Sequence, residues 1–147
     1  ENGKTMIKRY FSGKPKKVNA ELLTTLLDQG YRPVLSIPII DETGFAINSE
    51  NDDIVAVLQD ALKADKVIQL IEAPGFLEDK NDEGSMLQTL SASEIKAREA
   101  SVEGRMKRKM LALGRLVDAG AHEVIISDGR TVHPVLDALA GKGTTIR

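Results

Sequence analysis

Cysteine is missing from all 147 residues, which excludes disulfides, thiolate metal sites and cysteine nucleophiles and fits a reducing, cytoplasmic setting. The two histidines, His122 and His133, are too few and too scattered to build a histidine-rich metal centre. Neither stands at catalytic spacing from an acid, so both read as surface or packing residues. An excess of one charge sign is also missing. Net charge is −2 with both signs mixed along the chain, which removes any bulk electrostatic argument for nucleic acid or membrane. No apolar run approaches the roughly 18 residues that span a bilayer, and the N-terminus has no apolar signal core. The start at Glu1 rather than methionine fits a processed product or a fragment.

What is present is ordinary for a globular protein: 41% hydrophobic and 29% charged residues, in a length that buries about one core. Asn19 to Gly30 reads as an amphipathic helix with Leu22, Leu23, Leu26 and Leu27 on one face, followed by a strand at Arg32 to Ile37. Ile39-Ile40, Asp41 to Gly44, then Phe45-Ala46-Ile47 read as a hairpin whose glycine supplies positive φ. A helix from Asp52 to Ala64 leads into Lys66 to Ile71, a near-continuous apolar strand of the kind covered on both faces of a parallel sheet. A loop over Glu72 to Gly84 follows. Ser91 or Ser93 caps a short helix to about Ala100, and a second helix runs from Gly104 to Ala119, ended by Gly120. The strand Glu123 to Ser127, the turn Asp128-Gly129-Arg130, a helix from about His133 to Leu139 and a strand near Thr144 to Ile146 complete the chain. Alternation of helix and strand predicts an α/β fold, a three-layer αβα sandwich with a mostly parallel sheet.

Two stretches carry the chemistry. Asn48-Ser49-Glu50-Asn51-Asp52 places a carboxamide and a carboxylate at a helix start, and Gly104-Arg105-Met106-Lys107-Arg108-Lys109 places a lysine one turn into another helix. Helix N-termini attract anions and a lysine neutralises a transferring phosphoryl group, so the pair suggests a phosphate-handling site. At about 100° per residue, Met106, Met110, Leu113 and Val117 share one stripe, with Lys109 about 60° from its centre, Lys107 flanking its far side and Arg108 facing solvent. The plain alternative is that this basic run covers a helix face with its stems packed on apolar neighbours. Asn48 and Asp52 have an alternative too, as capping residues, and Ser49 resembles the start of a capping box. In the functional alternative Asp52 holds Lys109 or another cation while Asn48 donates to a bound oxygen.

Glu72 to Leu77 follows a strand where open α/β sheets place ligand crevices, and Gly75 admits a ligand close to the backbone, although a simple turn would look the same. Lys14, Lys16 and Lys17 form either a solvated loop or a patch for an anionic partner. Asp128-Gly129-Arg130 is chiefly turn chemistry.

The order of these features resembles the amino acid kinase family in its acetylglutamate kinase branch, and most of all the kinases of lysine and arginine biosynthesis that act on aminoadipate or glutamate held on a small acidic carrier protein. The branch pattern Asn-x-x-x-Asp is met by Asn48 and Asp52. Acidic-x-x-Gly-aliphatic-Leu is met by Glu72, Gly75, Phe76 and Leu77, and Gly-x-Met-x-x-Lys by Gly104, Met106 and Lys109. Asp128, Gly129, Arg130, Gly143 and Thr144 match the family's ending.

The resemblance implies an ATP-dependent kinase that makes an acyl phosphate from a side-chain carboxylate, with magnesium held largely by phosphates and water. It assigns charge stabilisation to Lys109, organisation of catalytic lysines to Asp52 and substrate binding to Asn48. Nucleotide would be held by Glu72, Ala73, Pro74, Gly75, Phe76 and Leu77 together with Ser101, Val102, Glu103, Gly104, Arg105 and Met106. Residues 1–47 would end a substrate lobe and residues 48–147 would form the nucleotide lobe. A homo-oligomer is implied, and the acceptor is either free acetylglutamate or a carrier-linked amino acid, the latter favoured by a basic rim at Lys14, Lys16 and Lys17.

The chain departs from the family in having Glu72 for aspartate, Ile71 for a small hydroxyl residue, and Asp53 and Ile54 for alanines. The family's first part, with a glycine-rich loop, another catalytic lysine and a substrate arginine, has no counterpart here, so these residues by themselves are expected not to turn over. The competing class is a non-catalytic nucleotide-binding or regulatory module of the same fold.

Overall fold

A computed structural model describes residues 11–79, 81–101 and 103–147, and for 104–106 the backbone alone. Helix α1 (Ala20–Asp28) is capped by Asn19, whose Oδ1 accepts from the Leu22 amide at 3.0 Å. The hairpin pairs β1 (Ile39–Ile40) with β2 (Ala46–Ile47), Ile39 opposite Ile47. Its turn is held by Asp41, whose Oδ1 accepts from Thr43 and Phe45 amides, while Gly44 takes φ 86°.

Helix α2 (Asn51–Leu62) feeds β3 (Lys66–Ile71), then comes a loop with a 3₁₀ turn at Glu83–Ser85, then the short β4 (Thr89–Leu90). Helices α3 (Ala92–Ser101) and α4 (Gly104–Asp118) follow, then β5 (Glu123–Asp128), α5 (Pro134–Leu139) and β6 (Thr144–Ile146). Ser91 resolves the choice of cap for α3: its hydroxyl accepts from the Glu94 amide at 3.2 Å while Glu94 accepts from the Ser91 amide at 2.7 Å, a reciprocal capping box.

The four-stranded sheet has order β3-β5-β6-β4. β3–β5 and β4–β6 are parallel and β5–β6 between them is antiparallel, so the sheet is mostly parallel as expected, with a reversal at its centre. Val124 and Ile126 of β5 join Met110, Leu113 and Leu116 of α4, with Ile95, Leu90, Ile146 and Phe76, in the main core. Ile125 alternates to the opposite face, where α5 meets β5 and β3, which gives the helix–sheet–helix layering.

One expectation is corrected. Arg32 to Ile37 forms no strand: its backbone finds no ladder partner among the described residues, and Val34 is 93% exposed. Strand formation is a matter of pairing as much as of suitable residues. β3 meets the main core through Val67 and Ile71 and meets α5 as well, but among the described residues it is paired only with β5 and so stands at the sheet edge, where Leu70 is 41% exposed. The strand buried along its length is β5.

Gly143, at φ 117°, lets β6 approach β5 so closely that a Cβ there would overlap the Ile126 carbonyl oxygen. Gly143→Ala is therefore expected to destabilise the chain by about 3 kcal/mol or more, combining a clash with an unfavourable φ. Urea denaturation monitored by circular dichroism measures this, and a loss below about 1 kcal/mol would contradict it.

Candidate functional site

Paired in parallel, β3 and β5 end together, Ile71 opposite Asp128, so the loops that follow them leave the same edge of the sheet. Gly129 ties the two ends by donating its amide to the Ile71 carbonyl at 2.8 Å. The loop Glu72–Leu77 is then fastened from below. The Phe76 amide donates to Thr144 Oγ1 at 2.8 Å, and that hydroxyl donates to the Leu87 carbonyl at 2.5 Å. The Leu87 amide returns a bond to the Phe76 carbonyl at 2.9 Å. Gly75 fits only because it lacks a side chain, since a Cβ would stand 2.7 Å from Thr144 Oγ1 and 2.9 Å from Met86 Sδ. Gly75 and Phe76 are buried, Ala73, Pro74 and Leu77 half-buried, and Glu72 is exposed.

Helix α4 brings its cation to this loop. Met110, Leu113 and Leu116 are fully buried, Lys107 and Arg108 are exposed, and Lys109 lies between, as the helical angles predict. Its Nζ sits over the Phe76 ring, 5.6 Å from the centroid, a cation–π contact. Burial pushes the Lys109 amine below its usual range, and the charge of Asp52 works against that loss. Asp52 of the first stretch, through its charge, and Phe76 of the loop after β3, through its ring, therefore both act on Lys109, whereas among the described contacts Asn48 is not brought to it.

Asp52 and Lys109 act through space; no ion pair joins them among the described residues. Asp52 is exposed, as is Asn48, whose backbone is held by bonds to Phe11 and Gly13 at 2.8 and 2.9 Å. The capping alternative fails for Asn48, which precedes the cap, but holds for Asp52, which lies in the first turn of α2 where an acid complements the helix dipole. The cap of α2 is Glu50, which makes no side-chain bond to the helix, and the buried Ser49 hydroxyl has no partner among the described residues. Helix α4 likewise starts at Gly104 after Glu103, which offers no side-chain cap. Ser101 turns back to donate to the Arg98 carbonyl, Val102 lies outside the described residues, and so do the side chains of Arg105 and Met106.

Arg130 is more than turn chemistry. Its Nε and Nη2 donate to Asp128 at 2.8 and 2.7 Å and Nη2 reaches Glu83 at 3.3 Å, joining the turn after β5 to the 3₁₀ turn. Lys14, Lys16 and Lys17 are exposed, and Pro15, Lys17 and Val18 line a mostly apolar cavity of about 160 Å³ against Leu35, Ile54 and Leu58. Sequence reasoning missed the Phe76 ring as a seat for Lys109 and the ion pair between Asp53 and Arg115, which crosses from α2 to α4. Thr144 was visible only as part of a motif, without its role under the loop.

The model of the amino acid kinase family matches residues 2–128. The chain is 36% identical to a [LysW]-aminoadipate kinase of Thermus thermophilus, over 100% of this chain and 56% of that protein. It is 32% identical to an acetylglutamate kinase of Methanopyrus kandleri, over 93% of this chain and 54% of that one. The chain thus spans about half the length of these relatives. In fold it matches N-acetylglutamate synthase from Neisseria gonorrhoeae with a TM-score of 0.79 at 23% identity, over 92% of this chain and 32% of that one.

Thr144→Val removes the partner of a buried amide and is expected to cost about 1–3 kcal/mol. Hydrogen exchange would show the Phe76 amide losing protection; unchanged protection would contradict the clamp. Asp128 is held down to about 2, chiefly by the Arg130 side chain, against 3.8 in the unfolded chain. Its contribution is complete above 3.8 and is lost as pH falls to about 2. The melting temperatures of this chain and Arg130→Ala should therefore differ at neutral pH and converge near pH 2 (about the folded value).

Proposed function

We propose, since this chain belongs to the amino acid kinase family, that it forms the nucleotide-handling half of an ATP-dependent kinase whose acceptor is the side-chain carboxylate of an N-blocked glutamate or aminoadipate. The observation that carries this is the convergence on Lys109: a half-buried cation seated on Phe76 of the loop after β3, with Asp52 opposite it. Residues 1–47 belong to the acceptor side and residues 48–147 to the nucleotide side.

The acceptor carboxylate attacks the γ-phosphorus of ATP, the bond to the bridging oxygen breaks, and ADP leaves as the acyl phosphate forms. Such transfer asks mainly for alignment and for compensation of charge on the phosphoryl oxygens. Lys109 supplies a cation at short range, in a partly desolvated place where its field is strong. Asp52 keeps that amine charged and oriented. Asn48, exposed and fixed through its backbone, offers its amide to the acceptor.

The residues present fit a nucleotide: the first amides of α4 are not taken by the Glu103 side chain, and helix starts favour phosphate. Glu72 to Leu77 and Ser101 to Met106 are the segments assigned to nucleotide, with Mg2+ entering on the phosphates and otherwise held by water. A relative named for LysW-linked aminoadipate supports a carrier-held acceptor, and the exposed Lys14, Lys16 and Lys17 suit an acidic carrier surface. No helix among the described residues is long and apolar enough to cross a membrane.

Calorimetric titration of Mg-ATP into this chain and into Lys109→Ala tests the nucleotide half without the acceptor. Binding to the chain, weakened about tenfold by the substitution (about 1.4 kcal/mol), is expected. Absence of binding to the unsubstituted chain would overturn the assignment and favour a non-catalytic module of the same fold.

A further inference from the structure

Because Asp52 and Lys109 share no ion pair among the described residues, the gap between them is inherited from the way α2 lies against α4. Apolar contact supplies part of that packing, since Val55 and Ala56 of α2 rest on the core that contains Met110 and Leu113 of α4. Apolar burial resists separation of the two helices and sets which face α4 turns inward, but being non-directional it holds the sliding of α2 along α4 less firmly. A side-chain ion pair fixes that sliding at one point. Between these helices the pair is Asp53 with Arg115, the carboxylate 14% exposed and the guanidinium at the protein surface.

Asp53 is the residue after Asp52, and Arg115 lies six residues beyond Lys109, about 9 Å further along the helix axis. The pair therefore grips the first turn of α2 at a second point, displaced along α4 from the lysine. Among the described residues no other polar side chain does this at the helix start, since the Glu50 side chain makes no cap bond and the Ser49 hydroxyl has no partner. The helix dipoles support the arrangement, with the acid in the first turn of α2 and the base in the last turn of α4.

We propose that Asp53 and Arg115 are positioning residues: their ion pair pins the start of α2 to α4 and so sets the separation of Asp52 from Lys109. This rests on the kinase assignment for its purpose, but the pin itself is a statement about geometry. An ion pair that only added stability would leave the Asp52–Lys109 relation unchanged when removed.

A double-mutant cycle separates the two. The Lys109 amine is titrated by NMR in lysine-labelled chain, its signal assigned with Lys109→Arg, before and after Asp52→Asn, in three backgrounds: unsubstituted, Arg115→Gln and Arg115→Lys. Within each background the direct effect of residue 115 cancels. Asp52→Asn is expected to lower the Lys109 titration in the unsubstituted chain and in Arg115→Lys, and to leave it unmoved in Arg115→Gln. An equal shift in Arg115→Gln would overturn the pin. If Arg115→Gln does not fold, Asp53→Ala replaces it in the same cycle. Mg-ATP binding is measured in parallel. Its absence from the unsubstituted chain would count against the kinase assignment, while the cycle still decides the pin.

Discussion

The hydroxyl of Thr144 is the point on which the arrangement depends. One buried oxygen accepts from the Phe76 amide and donates to the Leu87 carbonyl, so it joins the loop after β3 to the segment before β4 from beneath. Both directions of a hydroxyl are used, which leaves no polar group unpaired in a place where an orphan would be costly. Two glycines make the contact possible. Gly143 brings β6 against the Ile126 carbonyl, and Gly75 leaves room for the hydroxyl itself. With the backbone of Phe76 fixed, its ring is fixed as well, and the ring decides where the ammonium of Lys109 rests.

That resting place sets two opposing influences on one amine. Burial disfavours the charged form, while the quadrupole of the Phe76 ring and the carboxylate of Asp52 favour it. A carboxylate in direct contact would satisfy the lysine and blunt its field toward a phosphate. Asp52 favours the charged form without an ion pair to the amine among the described residues, as the proposed role of Lys109 toward a phosphate requires. The apolar stripe of α4 keeps this cation from drifting into water with Lys107 and Arg108, since turning it outward would expose Met110, Leu113 and Leu116.

Much of this was legible in the chain because it is local. Asn19, Gly30, Gly44 and Gly120 mark ends and turns by side-chain capping and positive φ, and the angular placement of Lys109 follows from the helical period alone. Facts that need a partner from elsewhere were not legible. Among the described residues Arg32 to Ile37 has the composition of a strand but no ladder, β4 is two residues long and too short to show a period, and β3 is apolar yet paired on one side only. Asp53 and Arg115 are 62 residues apart and neither position announces the other. Asn48 and Ser49 show the opposite failure, where capping chemistry fitted the letters and the backbone placed the cap at Glu50, while Asp52 has the first-turn place expected of a helix-start acid.

Fold similarity by itself would have left the chemistry open, because a synthase shares this architecture at 23% identity. What supports the proposed phosphate-handling site is how charge and core are distributed. Every residue of the main apolar core lies between Phe76 and Ile146, whereas among the described residues before α2 the one buried hydrophobic is Leu23, and Tyr31, Val34, Ile40 and Phe45 are well exposed. The cation, the loop it rests on and the threonine beneath are thus organised inside the densest part of the chain. Asn48 and Asp52 stand where that part meets the sparsely packed N-terminal segment. The acidic end of the site is therefore the end with least apolar packing to hold it, and at that end a bonded pair between α2 and α4 has the most to contribute.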